Sequence, residues 1–119
     1  QKNAELIKNN LIELLLKLKK ENKVVMGYGA AAKGNTLLNY AGIKNDLIKF
    51  VFDKAKSKQN KYLPGSHIKI LDPREIEEKK PDYLLILPWN ISKEIIDSLS
   101  KYRAKGIRFI TAIPELKIF

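Results

Sequence analysis

The chain has 119 residues, a length typical of one domain, and 45% of them are hydrophobic, enough to bury a core. It has no Cys and a single His, which excludes disulfides, thiolate metal sites, a Cys nucleophile and a His-rich zinc site within these residues. Lys and Arg number 23 against 13 Asp and Glu, so the net charge is +10. No apolar run approaches the roughly 20 residues of a membrane span.

The positive charge comes almost entirely from lysine. Surfaces that bind nucleic acid favour Arg, because its planar guanidinium contacts phosphates and bases with two hydrogen bonds. No helix-turn-helix, RNP or zinc-finger pattern accompanies the lysines. We therefore interpret most of them as solvated surface, and we leave open an anionic ligand that their field would attract.

The chain begins at Gln1 without Met, and its first residues lack the basic segment and small-residue cleavage site of a signal peptide. We expect a cytoplasmic protein and interpret this chain as a piece of a longer one. Because the sequence shows no repeat, low-complexity stretch or internal boundary, residues 1–119 are predicted to form a single domain.

The amino-terminal half predicts a helix and then a strand, a helix and a strand. Apolar residues recur every three or four positions over residues 3–21, which indicates an amphipathic helix. In chain order there follow a short buried strand over residues 24–26, a helix over 31–40 that Gly42 ends, and a strand over 47–52 that runs into Asp53.

The carboxy-terminal half continues this alternation after a polar stretch with the turn signal Pro64-Gly65. It predicts a short strand over residues 68–71, an acidic helix over 73–79, a buried strand over 83–87, a helix over 93–104 capped by Ser92, a strand over 107–112 and an edge strand over 116–119. The pattern predicts an α/β fold, a Rossmann-like three-layer sandwich with a mainly parallel sheet of about five strands and an N-terminal helix.

The segment GYGAAAKGNT at residues 27–36 joins the first strand to the second helix. Gly27, Gly29 and Ala32 match the dinucleotide-binding pattern G-x-G-x-x-A, whose small residues permit a tight turn, a close phosphate and close helix–strand packing. The free N–H groups at the start of the helix favour an anion. We predict phosphate or nucleotide binding, and the alternative is a tight turn with no ligand.

Two charged residues bear on this prediction. Lys33 adds a cation beside the turn, or is ordinary surface; it precedes Gly34, whereas a Walker A loop has its Lys after the last Gly. Asp53 ends the second strand 24 residues after Gly29, near the position where an acid would bond a ribose hydroxyl.

A second polar segment, Pro88-Trp89-Asn90, follows the central strand, at the edge where ligands bind in open α/β sheets. Trp89 could stack on a base or sugar, and Asn90 offers a donor and an acceptor. The alternative is a Trp that covers the core and an Asn that starts the next helix.

The loop over residues 62–67 could close over the same edge, with His67 as a surface residue. Ser66 and His67 are adjacent and no motif surrounds them, so no catalytic triad is predicted. The acids of the 73–79 segment are interpreted as the solvated face of one helix.

Four strings carry a resemblance to a known family: GYGAAAKGNTLLNY at 27–40, YLPGSHI at 62–68, PDYLLILPWN at 81–90 and IPE at 113–115. They closely resemble the C-terminal domain of the SAM-dependent sugar C-methyltransferases, and the likeness extends over residues 2–119. Such enzymes have a zinc-binding module, a central domain that binds S-adenosylmethionine, and a third, Rossmann-like domain that helps hold a nucleotide-linked sugar, typically a dTDP-hexose.

The resemblance implies that the methyl donor, the zinc and the acid–base residues belong to the upstream domains, so this domain is expected to bind no cofactor and to supply no catalytic residue. Methyl transfer is then an activity of the full-length enzyme. The expected partners are a nucleotide-diphosphate sugar and the upstream methyltransferase domain of the same chain, with no nucleic acid and no membrane. The residues expected to surround the nucleotide-sugar are Tyr28, Gly29, Ala30, Ala31, Lys33, Gly34, Asn35, Thr36, Asp53, Pro88, Trp89 and Asn90.

Two other functions stay open at this point. The glycine turn and Asp53 also permit a stand-alone module that binds NAD or CoA. The net charge alone motivates a nucleic-acid binder, which would show steep salt dependence.

Overall fold

This computed structural model describes residues 2–119, in which helices connect most of the strands. Two short 3₁₀ turns, η1 (Pro73–Glu75) and η2 (Trp89–Ile91), lead into the third and fourth helices. In chain order the elements are α1 (Lys2–Lys20), β1 (Val25–Tyr28), α2 (Ala32–Tyr40), β2 (Val51–Phe52), β3 (Ile70–Leu71), α3 (Ile76–Lys79), β4 (Tyr83–Ile86), α4 (Ser92–Ser98), α5 (Ser100–Ala104), β5 (Arg108–Thr111) and β6 (Lys117–Ile118).

The six strands form one sheet in the order β3-β2-β1-β4-β5-β6. The first five are parallel, and β6 pairs antiparallel with β5 at one edge. The chain adds strands on one side of β1 as far as β3 and then returns to add β4 on the other side. The carboxyl ends of β1 and β4 therefore flank the topological switch point, where ligands bind in open α/β sheets.

Helices cover both faces of this sheet, each over its own apolar core. One face buries leucines of α1 and α2, such as Leu15 and Leu38, against Val25, Val51 and other strand residues. The opposite face buries residues of α3, α4 and α5 against the other side chains of the same strands. Alternate residues of a strand point to opposite faces, so a sheet covered on both sides needs continuous apolar strands. The predicted three-layer α/β sandwich is confirmed, with six strands.

The helix α2 ends at the glycine that the sequence predicted. Gly42 has φ +70°, and its N–H donates to Asn39 O at 3.1 Å, while Ile43 N–H donates to Leu38 O at 2.9 Å. These two bonds satisfy carbonyls that the end of a helix leaves free, and they require a left-handed residue between them, which glycine adopts without a steric cost.

The helix predicted over residues 93–104 is interrupted at Leu99, which has φ −104° and ψ 18°. The Ser98 hydroxyl donates to Ile95 O at 2.6 Å, and so competes with the backbone for that carbonyl. The prediction that Ser92 caps the helix is wrong. Ser92 is already the first residue of α4, because the turn η2 has begun the helical path three residues earlier, and Ile91 takes the cap position without a side-chain bond.

The predicted strand over 47–52 is also shorter in the structure. The N–H groups of Leu47 and Ile48 both donate to Lys44 O, which folds the first part of this segment into a turn. Pairing with β1 starts at Lys49, whose N–H donates to Val25 O at 3.1 Å. At the other end of the chain, the predicted edge strand is β6. No helix among residues 2–119 is both long enough and apolar enough to cross a membrane.

Candidate functional site

The turn after β1 is held closely against the segment after β4. Gly29 has φ +90°, and an ideal Cβ there would lie 2.5 Å from both Cγ and Cδ of Pro88. Both the backbone conformation and the space therefore require glycine. The contact brings the glycine turn and the Pro88-Trp89-Asn90 segment together, as their positions at the sheet edge predicted.

In the structure the dinucleotide-binding pattern starts two residues later than the sequence predicts. Gly27 lies inside β1 beside Val51, where an ideal Cβ would be 2.9 Å from Val51 Cγ2, so the strand continues through Gly27. Ala32 is exposed, whereas Gly34 packs so closely on Leu87 that its Cβ would lie 2.6 Å from Leu87 Cβ. The assignment of close helix–strand packing to Ala32 is therefore wrong.

The working pattern is thus Gly29-x-Ala31-x-x-Gly34, with the spacing of a dinucleotide-binding turn. Gly29 makes the turn and Gly34 allows the helix to approach β4. Ala31, between them, is the N-cap of α2 and uses no side chain to cap it.

The start of α2 leaves three backbone donors free. The first helical bond runs from Asn35 N–H to Ala31 O at 2.9 Å. The N–H groups of Ala32, Lys33 and Gly34 donate to no acceptor among residues 2–119. Together with the partial positive charge of the helix start, they favour an anion.

A cleft of about 150 Å³ lies beside these donors, between the start of α2 and the segment after β4. Trp89 is half-buried in its wall and Asn90 is exposed. The cleft sits at the switch point of the sheet, which is where ligand sites of such folds occur. Its lining residues are Ala31, Ala32, Lys33, Leu87, Pro88, Trp89 and Asn90.

Asp53 binds the glycine turn itself. Its Oδ2 accepts from Ala30 N–H at 2.7 Å, and its Oδ1 accepts from Ala55 N–H at 2.8 Å. Each carboxylate oxygen accepts one backbone bond, so Asp53 is a structural partner of the turn and keeps a further acceptor site on each oxygen.

Lys58 was not among the residues expected from the sequence, yet it also reaches this turn. Its ammonium donates to Ala30 O at 3.0 Å, across 28 positions of the chain. Its only sequence signal is its place in the lysine-rich stretch after Asp53, which resembles many other parts of this chain.

The Tyr28 side chain lies on the opposite face of the sheet from α2. It is 6% exposed and packs in the core with Ile96, Leu99 and Tyr102. Burial, and then the nearby Asp53 carboxylate and Tyr102, raise the pKa of the Tyr28 hydroxyl above its ordinary value of 10.0. Its ring packs on the face of the sheet away from α2 and does not line the cleft.

Two further residues of the predicted site have other partners. Asn35 Nδ2 donates to Pro64 O at 3.2 Å, and the Thr36 hydroxyl donates to Ala32 O at 3.0 Å within α2. Neither side chain lines the cleft.

The loop over residues 62–67 lies along the side of α2. Asn39 Nδ2 also donates to Pro64 O, at 3.0 Å, and Gly65 approaches Asn39 so closely that a Cβ would lie 2.5 Å from its Oδ1. Ser66 is buried, while Tyr62 and His67 are exposed. The sequence allowed this loop to close over the sheet edge, but none of its residues lines the cleft, and its contacts are with α2 instead.

Comparison with known proteins identifies the family. The sequence model of the C-methyltransferase C-terminal domain matches residues 1–114. The chain belongs to this family. The resemblance seen in the sequence strings is thereby confirmed at the level of the family.

The C-methyltransferase NovU of Streptomyces niveus is a relative of this methyltransferase domain, 40% identical over 114 residues. The aligned region is 96% of this chain and 27% of the relative. The chain thus spans about a quarter of the length of the curated relative that it matches, as expected for one domain of a larger methyltransferase chain.

The fold also has a solved counterpart. The UDP-D-quinovosamine 4-dehydrogenase from Vibrio fischeri superposes with a TM-score of 0.58 and 20% identity, over 82% of this chain and 93% of that chain. At this identity the likeness shows the fold alone, and it agrees with the Rossmann-like strand order of the methyltransferase domain. Within residues 2–119, no group of three or more His, Asp or Glu side chains could hold a metal ion.

Proposed function

We propose that this C-methyltransferase domain binds the diphosphate of a nucleotide-linked sugar, of the dTDP-hexose type, and positions the sugar for methyl transfer in the full-length enzyme. The cleft at the switch point carries the proposal, because it combines free backbone donors with the Lys33 ammonium. A diphosphate offers several anionic oxygens to such a set of donors. A cytoplasmic location is part of the proposal.

The size of the cleft indicates which part of the ligand it holds. At about 150 Å³ it is smaller than the roughly 300–1,000 Å³ of pockets that enclose a whole small molecule. We assign the diphosphate to it and leave the base and the hexose beyond its rim. Trp89 offers an aromatic face to one of these groups, and the exposed Asn90 amide offers a donor and an acceptor.

The chemical step in this proposal belongs to the upstream part of the enzyme. There a deprotonated sugar carbon would form a bond to the methyl group of S-adenosylmethionine, while the methyl–sulfur bond would break and S-adenosylhomocysteine would leave. The present domain holds the other end of the substrate. Fixing one reactant in place contributes several kcal/mol to lowering the barrier without any acid–base group.

A stand-alone NAD-binding module would use Asp53, whereas the diphosphate proposal does not depend on it. A dinucleotide site of this fold uses an acid near the end of β2 to accept from the ribose. Here both oxygens of that acid accept from Ala30 and Ala55. Nucleotide-sugar binding through the diphosphate does not need this acid.

The test compares ligands on one chain. We expect dTDP and UDP to raise the thermal midpoint, and NAD, CoA and S-adenosylmethionine to leave it unchanged. Stabilisation by NAD alone would refute the proposal. Equal binding of generic DNA, weakening steeply with salt, would instead favour a nucleic-acid surface.

A further inference from the structure

The two backbone polar groups of Ala30 are each held by a charged side chain. The Asp53 carboxylate accepts from Ala30 N–H at 2.7 Å, and the Lys58 ammonium donates to Ala30 O at 3.0 Å. We propose that Lys58 is a positioning residue of the anion site, which acts through Ala30 to fix the turn that leads into α2. This inference rests on the proposed function and extends it to a residue outside the cleft.

The bond from Lys58 holds the peptide group just before α2. Ala31, the N-cap, is extended with φ −82° and ψ 144°, so the helix starts at Ala32 and the first helical bond is that of Asn35. The N–H groups in the first turn of any helix are free in the same way, so Lys58 does not create these donors. Its bond to Ala30 O fixes the turn that sets how the helix start faces the cleft.

Lys58 also changes the charge beside the cleft. A carbonyl oxygen and the Asp53 carboxylate both place negative charge near the helix start, where an anionic ligand would be repelled. The ammonium on Ala30 O offsets this charge at short range.

The loop between β2 and β3 is folded so that Lys58 returns to the turn. Ala55 N–H donates to Asp53 Oδ1 at 2.8 Å, and Gln59 Nε2 donates to Asp53 O at 2.9 Å. Lys58 N–H in turn donates to Ala55 O at 2.9 Å. These bonds tie the lysine to the residue that holds the other side of Ala30.

The first experiment measures affinity for inorganic pyrophosphate and for dTDP by calorimetry, on this chain and on the full-length enzyme. Lys58→Met should weaken both about tenfold, the loss typical of a charged hydrogen bond. Lys58→Arg, which can still donate to a carbonyl, should retain most of the affinity. Lys54→Met is the matched control, because Lys54 lies in the same loop, is exposed and has the same charge.

The second experiment examines the turn without ligand, by amide hydrogen exchange and the amide NMR signals of Ala30 and Ala31. In Lys58→Met the Ala30 backbone loses one of its two charged partners, so exchange of Ala30 N–H should become faster and both signals should shift. Lys54→Met should leave them unchanged.

The two measurements separate the possible failures. If Lys58→Met weakens binding while the amide signals stay unchanged, Lys58 contacts the ligand directly and the positioning role is wrong. If the signals shift but affinity does not fall, the turn has no bearing on the site and the inference is also wrong. If the unaltered protein binds neither pyrophosphate nor dTDP, the proposed function fails, and the amide signals still show whether Lys58 holds Ala30.

Discussion

Gly34 in the first turn of α2 lies directly against Leu87 at the end of β4. An ideal Cβ on Gly34 would be 2.6 Å from Leu87 Cβ, 3.1 Å from its carbonyl oxygen and 3.3 Å from its Cα. None of these atoms belongs to the flexible end of a side chain, so they cannot move aside cheaply. The contact sets the distance between the helix start and the strand end, and these two elements form opposite walls of the cleft.

Gly34→Ala should therefore destabilise the domain, although alanine is the better helix former by about 1 kcal/mol. Overpacking against Leu87 costs about 1–3 kcal/mol and should outweigh that gain. Urea unfolding measures the change. In the double variant with Leu87→Gly the contact with Cβ, the shortest of the three, is removed, so the two losses should be less than additive. A stabilised Gly34→Ala protein would show that the helix shifts without cost.

Gly29→Ala should be more costly than an equivalent change at Gly42. Both glycines have positive φ, +90° and +70°, so alanine is strained at each by about 1–2 kcal/mol. Only Gly29 has the Pro88 ring 2.5 Å from its added Cβ, whereas no atom lies within 4 Å at Gly42.

The difference between these two variants isolates the contact with Pro88, and we expect about 1–3 kcal/mol in the free energy of unfolding. Gly29→Ala should also lower affinity for pyrophosphate, because it moves the cleft wall, while Gly42→Ala should not. Equal destabilisation of the two variants would mean that the Pro88 contact carries no energy.

The order of elements was predictable because each strand has its own signal. The apolar run YLLIL marks a strand buried on both faces, and its position before Pro88 placed the second wall of the cleft correctly. The register of the glycine pattern was not predictable. Glycine normally weakens a strand, so Gly27 was assigned to the turn, whereas the close approach of Val51 is what places it inside β1.

The supporting contacts were missed for a different reason. The bond from Lys58 to Ala30 crosses 28 residues, and in a chain with this many lysines no periodicity or motif distinguishes one of them. Asp53 was found by its place after β2, but its role depends on where its oxygens point. A sequence pattern can place a residue at an edge, and only the fold decides which group it meets there.

Lys33→Ala should weaken binding of dTDP by about 1–3 kcal/mol, as expected for the loss of a charged hydrogen bond. Lys33 lines the cleft beside the free donors of the helix start. Lys44→Ala is the control, because Lys44 is also exposed and carries the same charge outside the cleft. Calorimetry at two salt concentrations distinguishes a direct bond to the ligand from long-range attraction. If both variants lose affinity equally, and only at low salt, Lys33 acts only through the overall positive potential of the protein.

Tyr28 predicts a pH dependence of stability. Its pKa is raised by burial first and by Asp53 and Tyr102 next, so the folded state holds the phenolic proton more tightly than the unfolded chain does. Its contribution is fully present below the ordinary value of 10.0, and it is lost as the pH rises through the folded pKa. Tyr28→Phe should therefore lose less unfolding free energy between about pH 9 and pH 11 than the unaltered protein does.

Urea unfolding at both pH values, compared as differences, removes the constant effect of the missing hydroxyl. Tyr62→Phe serves as the control, because it removes the same hydroxyl from a side chain that is 58% exposed. If Tyr28→Phe and Tyr62→Phe show the same slope, the Tyr28 hydroxyl reaches water in the folded state, and the tight core behind β1 is not as the structure describes it.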